Sequence, residues 1–326
     1  MSFKFLRVII IICIVASLCI TGCDSSTTNQ SKETTNNTEK PESNKKEDHT
    51  GETFEISDED EKIYNELFNL ENHISVKVDI SDEEQAKLQK DYDEYSSRGS
   101  KSPIYRRATK VTITIGNESY EIEDVGIRMK GNTSRSSFYD LSTGEITDLV
   151  HWKLKFNETF DDEAYYGDEA TVWSDDERKA RKKRTFASLE SLEIKWNSSL
   201  DNTYMRQIYA HYMFRDFSCL AAQCNLSTMA INNDKMGVWV IYEPVDDIFI
   251  ERNLEGKDWA GDLYKAGWTN KPCDYTQNTS IGIEDEDTGR FFNLDLKTNK
   301  KTSTHDQIKN FIRSIGSQND EENIEK

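Results

Sequence analysis

Apolar and polar residues alternate along "HISVKVDIS", His73 to Ser81, with the period of a strand that buries one face. Ser81 followed by Glu84 has the form of a capping box, and the spacing predicts a helix to about Tyr95. "YRRATKVTITIGNESYEIEDVGIRMKG" reads as a hairpin, with Val111, Ile113 and Ile115 on one face, a turn at Gly116-Asn117, and a second strand running into Arg128 and Lys130. In "HWKLKFN", Trp152, Leu154 and Phe156 share one face and Lys153 and Lys155 the other. From Glu158 to Arg184 the periodicity lapses into an insertion-like segment, acidic and then basic, expected to be a solvated loop or exposed helical turn.

"SLESLEIKWNSS" is the next strand, and Asp201 is placed to cap a helix from about Asn202 to Phe217. "LSTMAINND" and "GVWVIYEPVDDIFIER" form a second hairpin that ends where Pro244 prevents further pairing and a short helix begins. Hairpins mixed with helices, rather than repeated β-α-β units, predict an α+β fold.

The first sixty residues lack this patterning. Lys4 and Arg7 precede an apolar run from Val8 to Ile20, too short to span a bilayer and charged on one side only, which is the form of an export signal. Ile20-Thr21-Gly22-Cys23 resembles a bacterial lipobox, so cleavage is expected after residue 22 and lipid on Cys23, attaching the chain to the extracytoplasmic face of a bacterial membrane. Residues 23–60 follow as a lipidated cysteine and a Ser-, Thr-, Asn-, Lys- and Glu-rich tether with too little apolar surface to fold, and residues 61–326 form the folded domain.

Of the six cysteines, Cys219, Cys224 and Cys273 remain in the folded part, and nothing in their spacing demands a bridge or a zinc site. Cys219 and Cys224 are expected as apolar side chains in the last turn of a helix. The net charge is −19, with 60 acidic against 41 basic residues, which argues against a nucleic-acid surface and against adhesion to anionic lipid through basic patches. His151, His211 and His305 are scattered and adjoin no nucleophile motif, so none is assigned as a general base. The tryptophans, all between Trp152 and Trp268, suggest core and cleft lining, with a sugar-binding platform as the alternative.

Against this acidic background the cations of "VGIRMKGNTSR", Val125 to Arg135, stand out. Arg128, Lys130 and Arg135 surround a Gly-Asn-Thr-Ser turn whose Gly131 lets backbone approach a ligand, a setting for a phosphate or, on the plainer reading, a solvated strand end.

Four stretches in order, "VGIRMKGNTSR", "HWKLKFN", "LEIKWNSSLDNTYMRQIYAHYMF" and "MGVWVIYEPVDDIFIERNL", resemble the motifs of the spore-coat CotH kinase family over roughly residues 75 to 315. "GDLYKAGW" and "SIGIEDEDTGRFFNLDLKTNKKTS" also fit. The resemblance implies an atypical protein-kinase-like fold that binds ATP and Mg2+ and phosphorylates serine on proteins of the spore coat or envelope. It implies phosphate contacts at Arg128, Lys130, Gly131, Lys153 and Lys155, a nucleotide contact or helix cap at Glu243, and a helix-positioning role for Arg206.

Family members continue into an Asn- and Tyr-rich catalytic loop and an aromatic-Asp-x-Asp metal segment, neither of which is found here. Catalytic residues and metal ligands are therefore unassigned, and the chain is expected to be the N-terminal portion of such a kinase, inactive alone. A non-catalytic surface-binding or adhesion lipoprotein is the alternative.

Overall fold

The computed structural model describes residues 56–99, 101–131, 134–196, 201, 203–254, 260–266 and 294–316. Cys23, Cys273 and the "EDEDTG" stretch lie outside them. The described part opens on α1 (Asp58–Leu67), already inside the stretch expected to be tether. Ser57 Oγ accepts the Asp60 N–H at 3.1 Å, and Asp58, Glu59, Asp60 and Glu61 fill the first turn, where the helix dipole favours anions.

There follow β1 (Ile74–Asp79), α2 (Asp82–Ser97), β2 (Arg106–Ile115), β3 (Glu118–Lys130), the small hairpin β4 (Tyr139–Asp140) and β5 (Glu145–Ile146), and β6 (His151–Lys155). Short helices α3 (Glu163–Tyr166) and α4 (Asp175–Lys182) lead to β7 (Ser191–Trp196), α5 (Arg206–Asp216), the hairpin β8 (Cys224–Ile231) and β9 (Asp234–Tyr242), and α6 (Asp247–Asn253). The paired β10 (Tyr264–Ala266) and β11 (Leu294–Leu296) and helix α7 (Asp306–Gly316) complete the described elements.

The chain has the α+β character expected of it, and its main sheet closes into a barrel in the order β1-β2-β3-β6-β7-β9-β8. Neighbours run antiparallel except β1 and β8, which are parallel with Ile74 opposite Ser227. Closure leaves this sheet without a free strand edge. Inward residues are the apolar members of each alternation: Ile74, Val76 and Val78 lie opposite Ile115, Ile113 and Val111, and all six are buried. Trp152, Trp239 and Phe138 are the largest fully buried side chains, and Phe138 meets Trp152 edge to face at 5.0 Å. Each such burial contributes about 2 to 3 kcal/mol. Buried Asn225 donates from Nδ2 to the carbonyls of Leu67 and Asn69, at 3.0 and 2.8 Å, which ties α1 to the barrel.

Several expectations are corrected. Glu84 does not complete the capping box: Ser81 Oγ accepts the Glu84 N–H at 3.2 Å, but the Glu84 carboxylate accepts from the Arg107 N–H and from Lys87. The segment after Glu158 does form an exposed helix, α4, but two of the arginines in its basic run are not solvated. Arg181 and Arg184 reach across to the barrel and donate to backbone carbonyls, Arg181 to Glu158 and Asp124 and Arg184 to Phe156, Glu123 and Asp124, a use of guanidinium forks that composition does not show. The helix expected from about Asn202 begins at Arg206, whose N–H the Asp201 carboxylate accepts at 2.8 Å, and the same carboxylate accepts the Thr203 N–H at 3.1 Å, with Thr203 in a turn. Neither cysteine ends a helix: Cys224 is buried at the start of β8, Cys219 is exposed beyond α5, and both are free thiols.

Candidate functional site

The turn after β3 is built for close approach. Gly131 has φ +119, and a Cβ there would come within 2.7 Å of Ser134 Oγ, so only glycine fits. Upstream on β3, a Cβ on Gly126 would meet Glu158 Cβ at 2.8 Å and Tyr105 Cβ at 3.1 Å. The chain beyond the turn is held by α2, whose Gln89 Oε1 accepts the N–H groups of Phe138 and Tyr139 at 3.0 and 3.1 Å. Asp91 on the same helix pairs with Arg106 through two bonds of 2.7 Å, fixing α2 to β2.

Because Trp152, Leu154, Leu192 and Ile194 face the core, their neighbours face outward, and the register aligns them in rows. Arg128, Lys153, Glu193 and Tyr242 stand side by side on β3, β6, β7 and β9. Lys130 pairs with His151, and Lys195 with Val240. Three lysines from three adjacent strands thus gather at Glu193: Lys130 forms an ion pair with it, Lys195 lies 3.6 Å away, and Lys153 is its cross-strand neighbour. Lys153 has no ion-pair partner among the described residues. Lys195 also lies 4.0 Å over the ring of Tyr242.

The charges follow from this arrangement. Burial pushes the Glu193 carboxyl up, but Lys130, Lys195 and Lys153 outweigh it and hold the group below the usual carboxylate range. Lys130 is pushed down to about 8 by burial and by Lys195 and Lys153, against the pull of Glu193. His151 falls to about 4 from burial and from the charges of Lys195 and Lys130, and its Nδ1 accepts the Trp196 N–H at 3.1 Å, so the ring is neutral at pH 7 and holds β7 in place.

Of the residues singled out from the sequence, Arg128, Lys130, Gly131, Lys153 and Lys155 lie along β3, β6 and the adjoining turn. Lys155 is tied to Glu158 at 3.0 Å, and it and Arg128 both pack on the ring of Tyr105, at 5.4 and 4.9 Å. Glu243 lies apart from this face. It is buried, accepts the Gln223 N–H at 3.1 Å, and sits 3.9 Å from Arg252. Burial raises its pKa, opposed by the Gln223 N–H, the Tyr64 hydroxyl and Arg252. The cap of α6 is Asp246, whose carboxylate accepts the Phe249 N–H at 3.2 Å. Arg206 opens α5 with an exposed side chain, and its backbone N–H is the group that Asp201 receives. Glu193 and Lys195 were missed, although the alternation in "SLEIKW" that buries Leu192 and Ile194 places both on the polar face beside β6.

A polyphosphate needs ammonium donors whose charge is not already cancelled, and the face around Glu193 supplies them. For Mg2+ the fit fails: no group of three His, Cys, Asp or Glu side chains that could hold a metal ion occurs among the described residues.

A family model described as CotH kinase protein matches residues 152–326. The chain belongs to the CotH kinase family. No curated protein matches it. The CotH match opens in β6, so Lys153, Lys155, Glu193, Lys195, Arg206 and Glu243 fall within it, whereas Arg128, Lys130 and Gly131 precede it. This is narrower at the N-terminal side than the resemblance read from about residue 75. β3 nonetheless pairs directly with the first CotH strand, β6, from Gly126 opposite Lys155 to Lys130 opposite His151.

Proposed function

We propose that the barrel is the nucleotide-binding part of a kinase-like fold, that it binds ATP through its phosphates, and that the protein serves serine phosphorylation of spore-coat or envelope proteins. The observation that carries this reading is the convergence of Lys130, Lys153 and Lys195 on the single carboxylate Glu193, in a CotH-family chain of net charge −19. Lys153 and Lys195 donate to phosphate oxygens, while Glu193 keeps the lysines protonated and spaced. Calorimetry on the intact chain tests this. ATP should bind more tightly than adenosine, more weakly as salt rises, and about tenfold more weakly after Lys153→Ala or Lys195→Ala. Adenosine binding as tightly as ATP would refute it.

Attachment through lipid on Cys23 belongs to the same proposal, supported by the lipobox-like Ile20-Thr21-Gly22-Cys23. Cys23→Ser should release the protein from the membrane fraction into the medium, and retention at the wild-type level would contradict it. A second reading, a non-catalytic binding lipoprotein, is favoured by the exposed Tyr209, Phe214, Phe217 and Leu220 on and just after α5. Absence of ATP binding by a folded chain would favour that reading.

A further inference from the structure

Helix α5 turns one face to the barrel and leaves the other uncovered. Inward, Ile208 packs with Cys224, Val240 and Tyr242. Outward, spacings of three and four residues set Arg206, Tyr209, Met213 and Asp216 on one face, and all four are exposed. Met205 at the N-cap and Phe217 at the C-cap continue the apolar row at its two ends, and Tyr209 and Phe217 are 68 % and 66 % exposed. With Phe214 and Leu220, the row leaves on the order of 600 Å² uncovered, taking about 200 Å² for a whole side chain. A stable interface takes about 800 Å² from each partner, so the row can supply most of one.

The charges on this face oppose the dipole of their own helix. Arg206 stands in the first turn and Asp216 in the last, with no acidic residue in the first turn, whereas the dipole favours anions at the start and cations at the end. Arg215, the base of the last turn, is directed elsewhere: it donates to the Ala222 carbonyl at 2.7 Å and lies 4.4 Å over the ring of Tyr212. The face is also self-complementary. Tyr209 and Met213, Arg206 and Asp216, and Met205 and Phe217 are each placed symmetrically about one point on α5, level with His211.

We infer that α5 pairs antiparallel with α5 of a second copy of this chain, about a twofold axis at that point. Tyr209 then meets the partner's Met213 in a sulfur–aromatic contact, Met205 meets the partner's Phe217, and Arg206 meets the partner's Asp216 at both ends. The charges that oppose each helix's own dipole thus find their opposites across the axis. A bilayer taking up the same row would have to take up the Asp216 carboxylate with it, which a polypeptide carrying an arginine there does not. The pairing is independent of whether the barrel binds ATP.

Sedimentation equilibrium on the full-length chain tests it, with Cys23→Ser throughout so that lipid plays no part. The chain should dimerise with a Kd on the order of 10 µM. Arg206→Asp and Asp216→Arg each set like charges against one another at both ends and should each weaken the dimer by at least about tenfold. Both positions are exposed, and each substitution gives its helix end the charge that the dipole favours, so folding is not at stake. Mixed in equal amounts, the two variants should recover dimers of nearly wild-type strength, because every end then joins an acid to a base. A chain without these substitutions that stays monomeric at about 100 µM overturns the inference and leaves the face to a bilayer or to an unrelated protein. Dimers that persist in both charge variants overturn it as well, and so do variants that fail to associate when mixed.

Discussion

Glu190 and Glu193 lie at one end of β7, both largely removed from water and both near Lys153, yet their charges behave oppositely. Burial pushes the Glu190 carboxyl up to about 7, with the Asp247 charge adding to it and only Asn157, Lys155 and Lys153 opposing. Its Oε1 has no hydrogen-bond partner. Asp246 nearby is also pushed up to about 7, by burial and by Asp247. Glu193 suffers the same burial but stays below the ordinary range, because Lys130 forms an ion pair with it and Lys195 lies 3.6 Å away. Desolvation sets the starting penalty, and the number of close cations decides which carboxylate stays charged at neutral pH. The start of β7 therefore carries a fixed anion that organises lysines at Glu193 and, three residues before it, a carboxyl whose pKa is raised into the neutral range at Glu190.

The contrast breaks most visibly at Glu193. Glu193→Gln leaves Lys130 and Lys195 without their carboxylate and should lower stability at pH 7 by about 3 kcal/mol, read from urea unfolding. Because the Glu193 pKa is depressed, this contribution is present above the ordinary carboxylate range and is lost as pH falls through the folded value, so wild type and variant should converge in acid. A variant as stable as wild type at pH 7 would show that the lysines need no anion. Glu190→Gln should act the other way. A raised carboxyl pKa penalises the folded state progressively as pH climbs from the ordinary 4.5 through about 7, so the variant should be more stable than wild type by about 2 kcal/mol at pH 8 and equal to it at pH 4. Thermal melts at the two pH values check the sign. The smallest effect is expected from Lys155→Ala, which removes a partly exposed pair with Glu158 and should alter stability by less than about 1 kcal/mol. It should also move the Glu190 titration slightly higher, measurable by carboxyl NMR.

Much of this was legible before any coordinates. Alternation located β1, β2, β3, β6, β7 and the β8–β9 hairpin, because an inward apolar row and an outward polar row follow directly from the pleat. The outward-facing Lys153 and Lys155 beside Arg128 and Lys130 were found for the same reason. Closure was not legible, since a strand alternates identically in an open sheet and in a barrel, and the parallel pairing of Ile74 with Ser227 joins residues far apart in sequence. Lys195 and Glu193 were overlooked because "SLEIKW" by itself does not state which strand lies beside it, and only the register across β6 brings them to Lys153. Arg181 and Arg184 looked like solvated charge because their acceptors, the carbonyls of Asp124 and Phe156, leave no mark in composition.

The central claim is that a polyphosphate lies against the lysines gathered at Glu193, and lysine acylation mapped by mass spectrometry with and without ATP tests it most directly. ATP should protect Lys153 and Lys195, leaving exposed lysines elsewhere, such as Lys179 and Lys182 on α4, as reactive as before. Protection of no lysine on β3, β6 or β7 at an ATP concentration that saturates binding would contradict the account.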